Sequence, residues 1–489
     1  MDAPSNPRSS PMAPLREPNH SQHVAGSFKA LASGEILSRL VALAALVHLT
    51  RTLGPVKMGM IGFAAAICTF MSLAVQAGFR HVGTKAVAES PGQAPRIAAS
   101  GTLVRLIVAA LAFSLIFVVG SGLPATGPVI VVTALSLFSL ALDPTWVFKG
   151  LERNRQVGRA LVVKQSIYVV LVYTLVSEPT DFIIVPACLF AADLTVSSYL
   201  LRSLLRGAKP NLSLNPGWGL LKDSVPVVGT GLFRHTIMTA DVILIGIFLT
   251  GEAGNRAMGL YTVPYSIVFM ALAVSSALHD SYRPAIVRAF REGKESLHAA
   301  CRGSLAASAA VGAPIVVGGA MVAGPLIGFV MGAEYVDGAA PFRVILASAG
   351  LLFLGGVMHN LFLASGQLAA ETRIHGLAAL LNVGLNLFLI PRHGLMGAAW
   401  ATLTAEACGL LGAGVVLKRA GILVGMSAVF RPLLAALMMG AVVGFVGAER
   451  SLALTIPVGV IAYGLGLIAL RAVPEDLKGT KGPPPKVLG

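Results

Sequence analysis

The sequence contains few charged residues for its length. Only 12% of the 489 residues are Asp, Glu, Lys or Arg, whereas 55% are hydrophobic, and the mean hydropathy is +0.78. A water-soluble globule of this size needs more polar surface than such a composition supplies. The composition therefore excludes a soluble protein and predicts one whose main solvent is the lipid bilayer.

The sequence also lacks the motifs of common catalytic and metal sites. It contains no GK[ST] phosphate loop, no HExxH, no GxSxG and no close CxxC. The motifs typical of ATP hydrolysis, zinc catalysis and serine catalysis are therefore absent. The four cysteines are scattered at Cys68, Cys188, Cys301 and Cys408, which favours ordinary apolar packing over a disulfide or a metal site. We predict no enzyme activity, no bound metal and no cofactor.

Long apolar runs fill most of the chain. A helix needs about 20 mostly apolar residues to cross roughly 30 Å of hydrocarbon. The runs are continuous and rich in Leu, Ala and Gly, unlike the short alternating strands of a membrane barrel. They cover residues 34–51, 58–79, 102–121, 126–148, 160–177, 181–201, 224–250, 257–279, 303–323, 340–363, 373–390, 395–417, 427–447 and 451–471. The sequence therefore predicts an all-α polytopic membrane protein with about fourteen transmembrane helices.

The basic residues alternate from one loop to the next. Both tails and the loops after even-numbered helices hold most of the lysines and arginines. The other loops hold only Arg51, Lys57, Arg256, Arg343, Arg392 and Arg450. By the positive-inside rule, both termini are predicted to be cytoplasmic. The net charge of +15 then reflects orientation and contact with anionic lipid rather than a nucleic-acid partner.

An internal repeat divides the chain. Met58-Gly59 recurs as Met258-Gly259, and SLAV in the first copy is answered by ALAV in the second, at an offset of roughly 200 residues. We predict two parallel six-helix lobes related by an axis along the membrane normal, with the substrate between them. The predicted parts are a disordered cytoplasmic tail (1–30), an N-lobe (31–205), a C-lobe (206–420), two additional helices (421–472) and a cytoplasmic tail (473–489).

Several charges remain inside the predicted spans. Each costs about 2.5 to 3.5 kcal/mol at a span centre, so a wet cavity is the default expectation for them. Arg39 and Arg234 lie in the first helix of each lobe, and we predict that both line a central cationic cavity; the alternative is a structural pairing with a carboxylate. Arg105 and Lys164 lie near helix ends, where they are expected to snorkel and serve structure.

Three acidic residues complete the candidate site. Asp241 follows Arg234 by seven residues, about 10 Å along one helix face, so it is predicted to lie in the same cavity wall. Asp193 and Glu406 lie in the sixth helix of each lobe and are candidates for binding a coupling Na⁺ or H⁺. The alternative for both is an ion pair with an arginine across the bundle.

Three sequence motifs carry a family resemblance that covers residues 30–420. They are Arg51-Thr-Leu-Gly-Pro-Val-Lys-Met-Gly59, Asp143-Pro-Thr-Trp-Val-Phe-Lys-Gly-Leu-Glu-Arg153, and the stretch from Ser365-Gly-Gln to Glu406. Together they resemble polysaccharide flippases of the multidrug/oligosaccharidyl-lipid/polysaccharide exporter superfamily. The residue at Lys57 is often acidic in that family.

The resemblance implies two helical lobes that open alternately to either side of a bacterial cytoplasmic (inner) membrane. It implies transport of an isoprenoid-pyrophosphate-linked oligosaccharide to the outer leaflet, for lipopolysaccharide or exopolysaccharide synthesis. Arg39 and Arg234, with Arg51 as a weaker candidate, would bind the pyrophosphate, since that group needs cations in a low-dielectric cleft. The implied partners are the lipid-linked oligosaccharide, membrane lipids and the polysaccharide polymerase machinery.

Two other functions remain open from the sequence. A cation-coupled exporter of small molecules or drugs belongs to the same superfamily and would show ion-dependent efflux. A membrane-embedded glycan polymerase or ligase would need a large extracytoplasmic loop carrying catalytic Arg or His residues. The predicted outside loops are short, which disfavours the polymerase.

Overall fold

The computed structural model describes residues 19–76, 78–123, 125–207, 213–422, 425–447 and 451–473. Within these ranges the regular secondary structure is helical throughout, with no strand. The α-helices are α1 (Asn19–Gln76), α2 (Val82–Glu89), α3 (Ala94–Ser121), α4 (Gly127–Ala134), α5 (Ser136–Leu142), α6 (Thr145–Gly150), α7 (Asn154–Leu175), α8 (Ile184–Leu205), α9 (Asn215–Phe248), α10 (Gly251–Glu292), α11 (Lys294–Met321), α12 (Ala323–Met331), α13 (Ala339–Ala364), α14 (Leu368–Arg419), α15 (Ser427–Val446) and α16 (Leu452–Ala469). Short 3₁₀ helices occupy Pro91–Gln93, Pro179–Ile183 and Ala333–Gly338.

Helix α1 is a hairpin that turns at Gly54. Its 58 residues would extend about 87 Å as one straight helix, far more than a bilayer requires. Gly54 has φ 68° and ψ 174°, a conformation that glycine adopts without a Cβ clash. Arg39 and Gly62, on either side of the turn, both contact α10, at Phe269 and Thr262. The two halves of α1 therefore run side by side.

Helix α14 folds back in the same way at Gly394, which has φ 54° and ψ −131°. Gly412 packs beside Ile374, and Gly397 packs beside Leu389. In the described part of the chain, twelve helical segments are long and apolar enough to cross a membrane, with α1 and α14 each counted once. Division at the two glycines gives fourteen segments, so the structure confirms the all-α polytopic fold.

The N-terminal region differs from the predicted tail. Residues 1–18 lie outside the described residues, but α1 begins at Asn19, so a helix replaces the disorder expected for residues 19–30. The prolines of the tail end at Pro18, and nothing between there and Pro55 blocks a helix by lacking an N–H group. Residues 474–489 of the predicted C-terminal tail also lie outside the described residues.

Most helix contacts fall within the N-lobe or within the C-lobe. In the N-lobe α1 packs on α7, and in the C-lobe α9 packs on α14 and α13 packs on α10, α11 and α14. Of the two additional helices, α15 packs on α11, and α16 packs on α15. The lobes meet where α1 contacts α9 and α10 and where α3 contacts α9.

One interface between the lobes involves the repeated Met-Gly pairs. A Cβ atom placed on Gly59 would lie 1.8 Å from the carbonyl oxygen of Asn255, and one on Gly259 would lie 1.9 Å from that of Pro55. The contact is reciprocal, as expected where a local two-fold axis passes between two equivalent helices. Small residues permit such close helix packing. We call this end of the molecule, which carries Gly54, the Gly54 end.

The lobes also meet at the opposite end through α9. The Gly217 N–H donates a hydrogen bond of 2.8 Å to the Ser100 hydroxyl of α3. A Cβ on Gly78 would lie 2.7 Å from the Cβ of Ser224. Since α9 also packs along α14, it links the N-lobe directly to the interior of the C-lobe.

Candidate functional site

The N-lobe contains a charged cavity of about 310 Å³ at the end opposite Gly54. Its charged lining residues are Glu35, Arg80, Arg105, Asp143, Lys149, Lys164 and Asp193. Four basic and three acidic side chains line it, so the cavity is polar but almost neutral.

Asp193, predicted as a coupling residue, is paired in this cavity. Its Oδ1 lies 2.9 Å from the Lys164 ammonium, and both side chains are about one-quarter to one-third exposed. The partner is a lysine rather than the arginine considered from the sequence. A paired carboxylate does not need a further cation, so the structure favours an ion pair in this arrangement.

Exchange of the two charged side chains distinguishes a structural ion pair from ion coupling at Asp193. Asp193→Asn is expected to lower the amount of folded protein because it leaves Lys164 without its partner. Lys164→Asp combined with Asp193→Lys is expected to restore folding and surface glycan, measured by size-exclusion profile and glycan staining. A well-folded Asp193→Asn protein that loses glycan, with no rescue by the exchange, would instead support ion coupling at Asp193.

Arg105 is buried rather than snorkelling. Its residue is 3% exposed, and its guanidinium donates hydrogen bonds to the carbonyl oxygens of Val75 (3.2 Å), Leu140 (2.5 Å) and Asp143 (2.8 Å). The Asp143 carbonyl lies between α5 and α6, and the Leu140 carbonyl, in the last turn of α5, also accepts a hydrogen bond of 3.2 Å from the Asp143 N–H. Arg105 therefore has the structural role expected for it, because its guanidinium binds backbone carbonyls where the helix is interrupted between α5 and α6.

The motif around Trp146 packs α6 against α2, next to Arg105. The Trp146 ring leaves no room for a Cβ at Gly83, which would lie 2.7 Å from it. The Thr84 hydroxyl donates to the Trp146 carbonyl at 3.0 Å, and Gly150 packs against the Thr84 carbonyl. These contacts hold α6 on α2, so the motif serves packing here.

The C-lobe contains a second, smaller cavity of about 50 Å³ between α9, α13 and α14, which we call the C-lobe cavity. Its ionisable lining residues are Arg234, His359, Glu371, His375 and Glu406. Glu406 was predicted from the sequence as a coupling residue. Glu371, His359 and His375 were not assigned to the site from the sequence.

Glu371 lies at the centre of this group. Its Oε1 is 2.8 Å from Nδ1 of His359 and 3.7 Å from Nε2 of His375, and its side chain is 6% exposed. Its Oε2 is buried and has no hydrogen-bond partner among the described residues. In the sequence, Glu371 and His375 lie four residues apart at the start of α14, so they share a helix face. His359 lies near the end of the preceding helix, α13. This spacing is the sequence signal that could have found the group.

Arg39 and Arg51 lie at contacts between the lobes. Arg39 pairs with Glu35 at 3.2 Å and donates to the Phe269 carbonyl of α10 at 3.2 Å. Arg51 donates at 2.7 Å to the Phe329 carbonyl, in the last turn of α12, where free carbonyls favour a cation. Arg234 lies elsewhere, in the C-lobe cavity, so the structure does not bring the three arginines around one central cavity.

Asp241 is also separate from the expected cavity wall. It is fully buried, and it accepts hydrogen bonds from the Tyr261 hydroxyl (2.5 Å), the Thr402 hydroxyl (3.4 Å) and the Val242 N–H (2.8 Å). These partners from α10 and α14 cover it, so a substrate does not reach Asp241 in this conformation. The prediction that it shares a surface with Arg234 is corrected accordingly.

The polar group around Asp241 continues along α14. Asn382 donates to the Thr402 hydroxyl at 3.4 Å, and Asn386 donates to the Asn382 side-chain oxygen at 3.1 Å. The Asn386 side-chain oxygen is buried and has no hydrogen-bond partner in the part of the chain that the structure describes. Among the described residues no group of three or more His, Cys, Asp or Glu is arranged to hold a metal ion.

Comparison with protein families identifies the chain. The sequence profile of the polysaccharide biosynthesis protein family matches residues 25–290, more than half of the chain. The chain belongs to this family. The match covers the Arg51 and Asp143 motifs and confirms the resemblance that they carry, whereas the Ser365 motif lies beyond the matched residues. No curated protein matches the sequence.

Solved structures share the fold of this family member. Lipid II flippase MurJ, in an inward closed conformation, has a TM-score of 0.76 at 12% identity, covering 92% of this chain and 99% of the MurJ chain. An inward-facing multidrug resistance MATE family transporter of the MOP superfamily has a TM-score of 0.53 at 16% identity, covering 81% and 95%. An outward-facing one has a TM-score of 0.52 at 16% identity, covering 82% and 95%. At these identities the likeness establishes the fold.

Proposed function

We propose that the protein is a flippase that moves isoprenoid-pyrophosphate-linked oligosaccharide units across the bacterial cytoplasmic membrane by alternating access. Its membership of the polysaccharide biosynthesis protein family supports the oligosaccharide substrate. The observation that carries the transport step is that the lobes make close contacts at both ends, at Gly59 and Gly259 near Gly54 and at Gly217 of α9 at the opposite end. Interfaces of this kind can separate at one end while they close at the other.

Arg39 is the best-placed cation for a pyrophosphate. It lies where α1 of the N-lobe meets α10 of the C-lobe, and its side chain is 36% exposed. Its present partner, Glu35, is half exposed, so an entering pyrophosphate can replace that carboxylate as the hydrogen-bond acceptor. Arg234 and Arg51 are proposed as further cations that the substrate meets when the lobes move.

The proposal includes the orientation of the chain in the membrane and the ion that drives transport. Both termini are proposed to be cytoplasmic, because the basic loops alternate as the positive-inside rule requires. The cycle is proposed to be coupled to Na⁺ or H⁺, with Glu406 in the C-lobe cavity and the paired Asp193 as the acids first considered. Polysaccharide polymerase machinery is the proposed partner that uses the translocated unit.

Replacement of the two predicted arginines tests the substrate. The double variant Arg39→Ala with Arg234→Ala is expected to reduce surface glycan to about one-tenth or less, since each charge-assisted hydrogen bond contributes about 1.5 to 3 kcal/mol. Complete lipid-linked units should accumulate on the inner leaflet, measured by extraction and glycosidase accessibility. Arg392→Ala is the control, because that exposed arginine donates its hydrogen bond to the Phe388 carbonyl and stacks on the Phe388 ring within its own helix. Normal glycan in the double variant would contradict the proposal.

A drug exporter is the alternative within the same fold. Unchanged surface glycan after deletion of the gene, together with altered drug tolerance, would favour it. The MATE-like fold supports both functions equally, and the family match favours the flippase.

A further inference from the structure

The ionisable groups of the C-lobe cavity do not balance. Arg234 contributes one positive charge, whereas Glu371 and Glu406 contribute two negative charges. With both histidines neutral, the cavity carries one excess negative charge, and one added proton makes it neutral. The Glu371 side chain is only 6% exposed, and an uncompensated charge on so buried a carboxylate is costly, so the cavity favours the added proton.

The geometry shows where the proton fits. Nδ1 of His359 lies 2.8 Å from Oε1 of Glu371, a distance suited to a proton shared between an imidazole and a carboxylate. The second oxygen of Glu371 is buried without a partner, so the carboxylate has capacity for a further hydrogen bond. Imidazole gains a proton between about pH 5 and pH 8, whereas hard cations such as Na⁺ prefer several oxygen ligands.

The excess negative charge of the cavity must also be weighed against the ionisable groups on the neighbouring helices. His235 follows Arg234 on α9. On α10, His279 is buried and bonded to the Ser308 hydroxyl and the Phe353 carbonyl. Asp280 and Arg283, also on α10, form an ion pair with each other.

Helix α9 connects the cavity to the lobe interface. It forms the wall that carries Arg234, and its first turns hold the N-lobe through Gly217 and Ser224. An excess negative charge favours a cavity that is open to water, and a displacement of α9, which carries Arg234 and Ile237 in the cavity wall, opens it. A displaced α9 loosens the contacts with Ser100 and Gly78.

We propose that the C-lobe cavity is a proton-binding site, in which His359 and Glu371 share one proton and its presence stabilises the closed contact between α9 and the N-lobe. This inference rests on the proposed transport function and gives its cycle a proton as the coupling ion. Loss of the proton releases α9 and separates the lobes at the end opposite Gly54.

Spin-label distances test the site without a substrate. Labels at Glu89→Cys on α2 and Glu292→Cys on α10 report the separation of the lobes at that end; both positions are exposed. The full chain, with its four native cysteines replaced by serine, is placed in vesicles of phosphatidylethanolamine and phosphatidylglycerol. Between about pH 5.5 and pH 8.5, the ratio of the short to the long distance is expected to fall about fivefold or more.

Two variants should move the ratio in opposite directions. Glu371→Gln removes the excess charge permanently and should keep the short distance at both pH values. His359→Asn removes the proton acceptor and should favour the long distance at both. His298→Asn is the control, since that exposed histidine of α11 lies outside the cavity, and it should retain the pH response. A pH-independent distance in the parent protein, or a normal response in Glu371→Gln, would overturn the proposal.

The glycan assay separates this inference from the proposed function. If gene deletion abolishes surface glycan but the distances ignore pH, the proton site is wrong and the flippase function stands. If the distances respond as expected but deletion leaves glycan unchanged, the site stands as part of a different transporter.

Discussion

Replacement of Gly59 by leucine is expected to abolish transport and to leave the protein inserted in the membrane. A Cβ at this position would lie 1.8 Å from the Asn255 carbonyl oxygen and 2.7 Å from the Gly259 nitrogen. Both obstacles are backbone atoms, which cannot rotate away as a side chain can. The lobes must therefore separate at the Gly54 end, and surface glycan is expected to fall to less than about one-tenth, since overpacking costs about 1 to 3 kcal/mol or more.

The reciprocal geometry supplies a matched pair of variants. Gly259→Leu should have the same effect, because its Cβ would lie 1.9 Å from the Pro55 carbonyl oxygen. Gly384→Leu is the control, since that exposed helical glycine of α14 has open space around it. Spin labels at Glu178→Cys and Glu252→Cys, on different lobes near Gly54, should report a longer distance in both test variants. Wild-type glycan in Gly59→Leu would show that this contact is not required in the cycle.

The internal repeat illustrates how far the sequence predicts the fold. The hydropathy pattern was sufficient for the all-α membrane fold, because a span must be apolar over its whole length wherever it lies in the bundle. The repeat marked Gly59 and Gly259 as equivalent positions. Their direct contact was not predictable, since equivalent residues touch only when the axis relating the lobes passes beside them.

The candidate site was less predictable because burial depends on distant residues. The seven-residue spacing of Arg234 and Asp241 says that they share a helix face, but Tyr261 and Thr402 from other helices cover Asp241. Glu371 was missed since it lies at the boundary of a predicted loop, where a charge needs no special explanation. Only the packing of α13 on α14 places His359 beside it.

Replacement of Arg105 by leucine is expected to prevent stable folding. Its guanidinium is the hydrogen-bond donor to the carbonyl oxygens of Val75, Leu140 and Asp143. Leucine removes all three hydrogen bonds and leaves the Asp143 carbonyl, between α5 and α6, without the Arg105 donor, whereas the Leu140 carbonyl keeps its bond from the Asp143 N–H. Each unsatisfied buried group costs about 1 to 3 kcal/mol, so the total loss should exceed about 2 kcal/mol. Thermal unfolding in detergent and the yield of monodisperse protein measure the effect.

Arg105→Lys separates charge from geometry. A lysine retains the positive charge, but its single ammonium cannot reproduce the planar fork that reaches three carbonyls from two sides. We therefore expect it to recover only part of the stability lost in Arg105→Leu. Arg392→Leu is the control, because it removes an exposed arginine whose hydrogen bond and ring contact are to Phe388 in its own helix. If Arg105→Leu unfolded at the same temperature as this control, the broken span would be held by its packing on Trp146 and α2 rather than by the guanidinium.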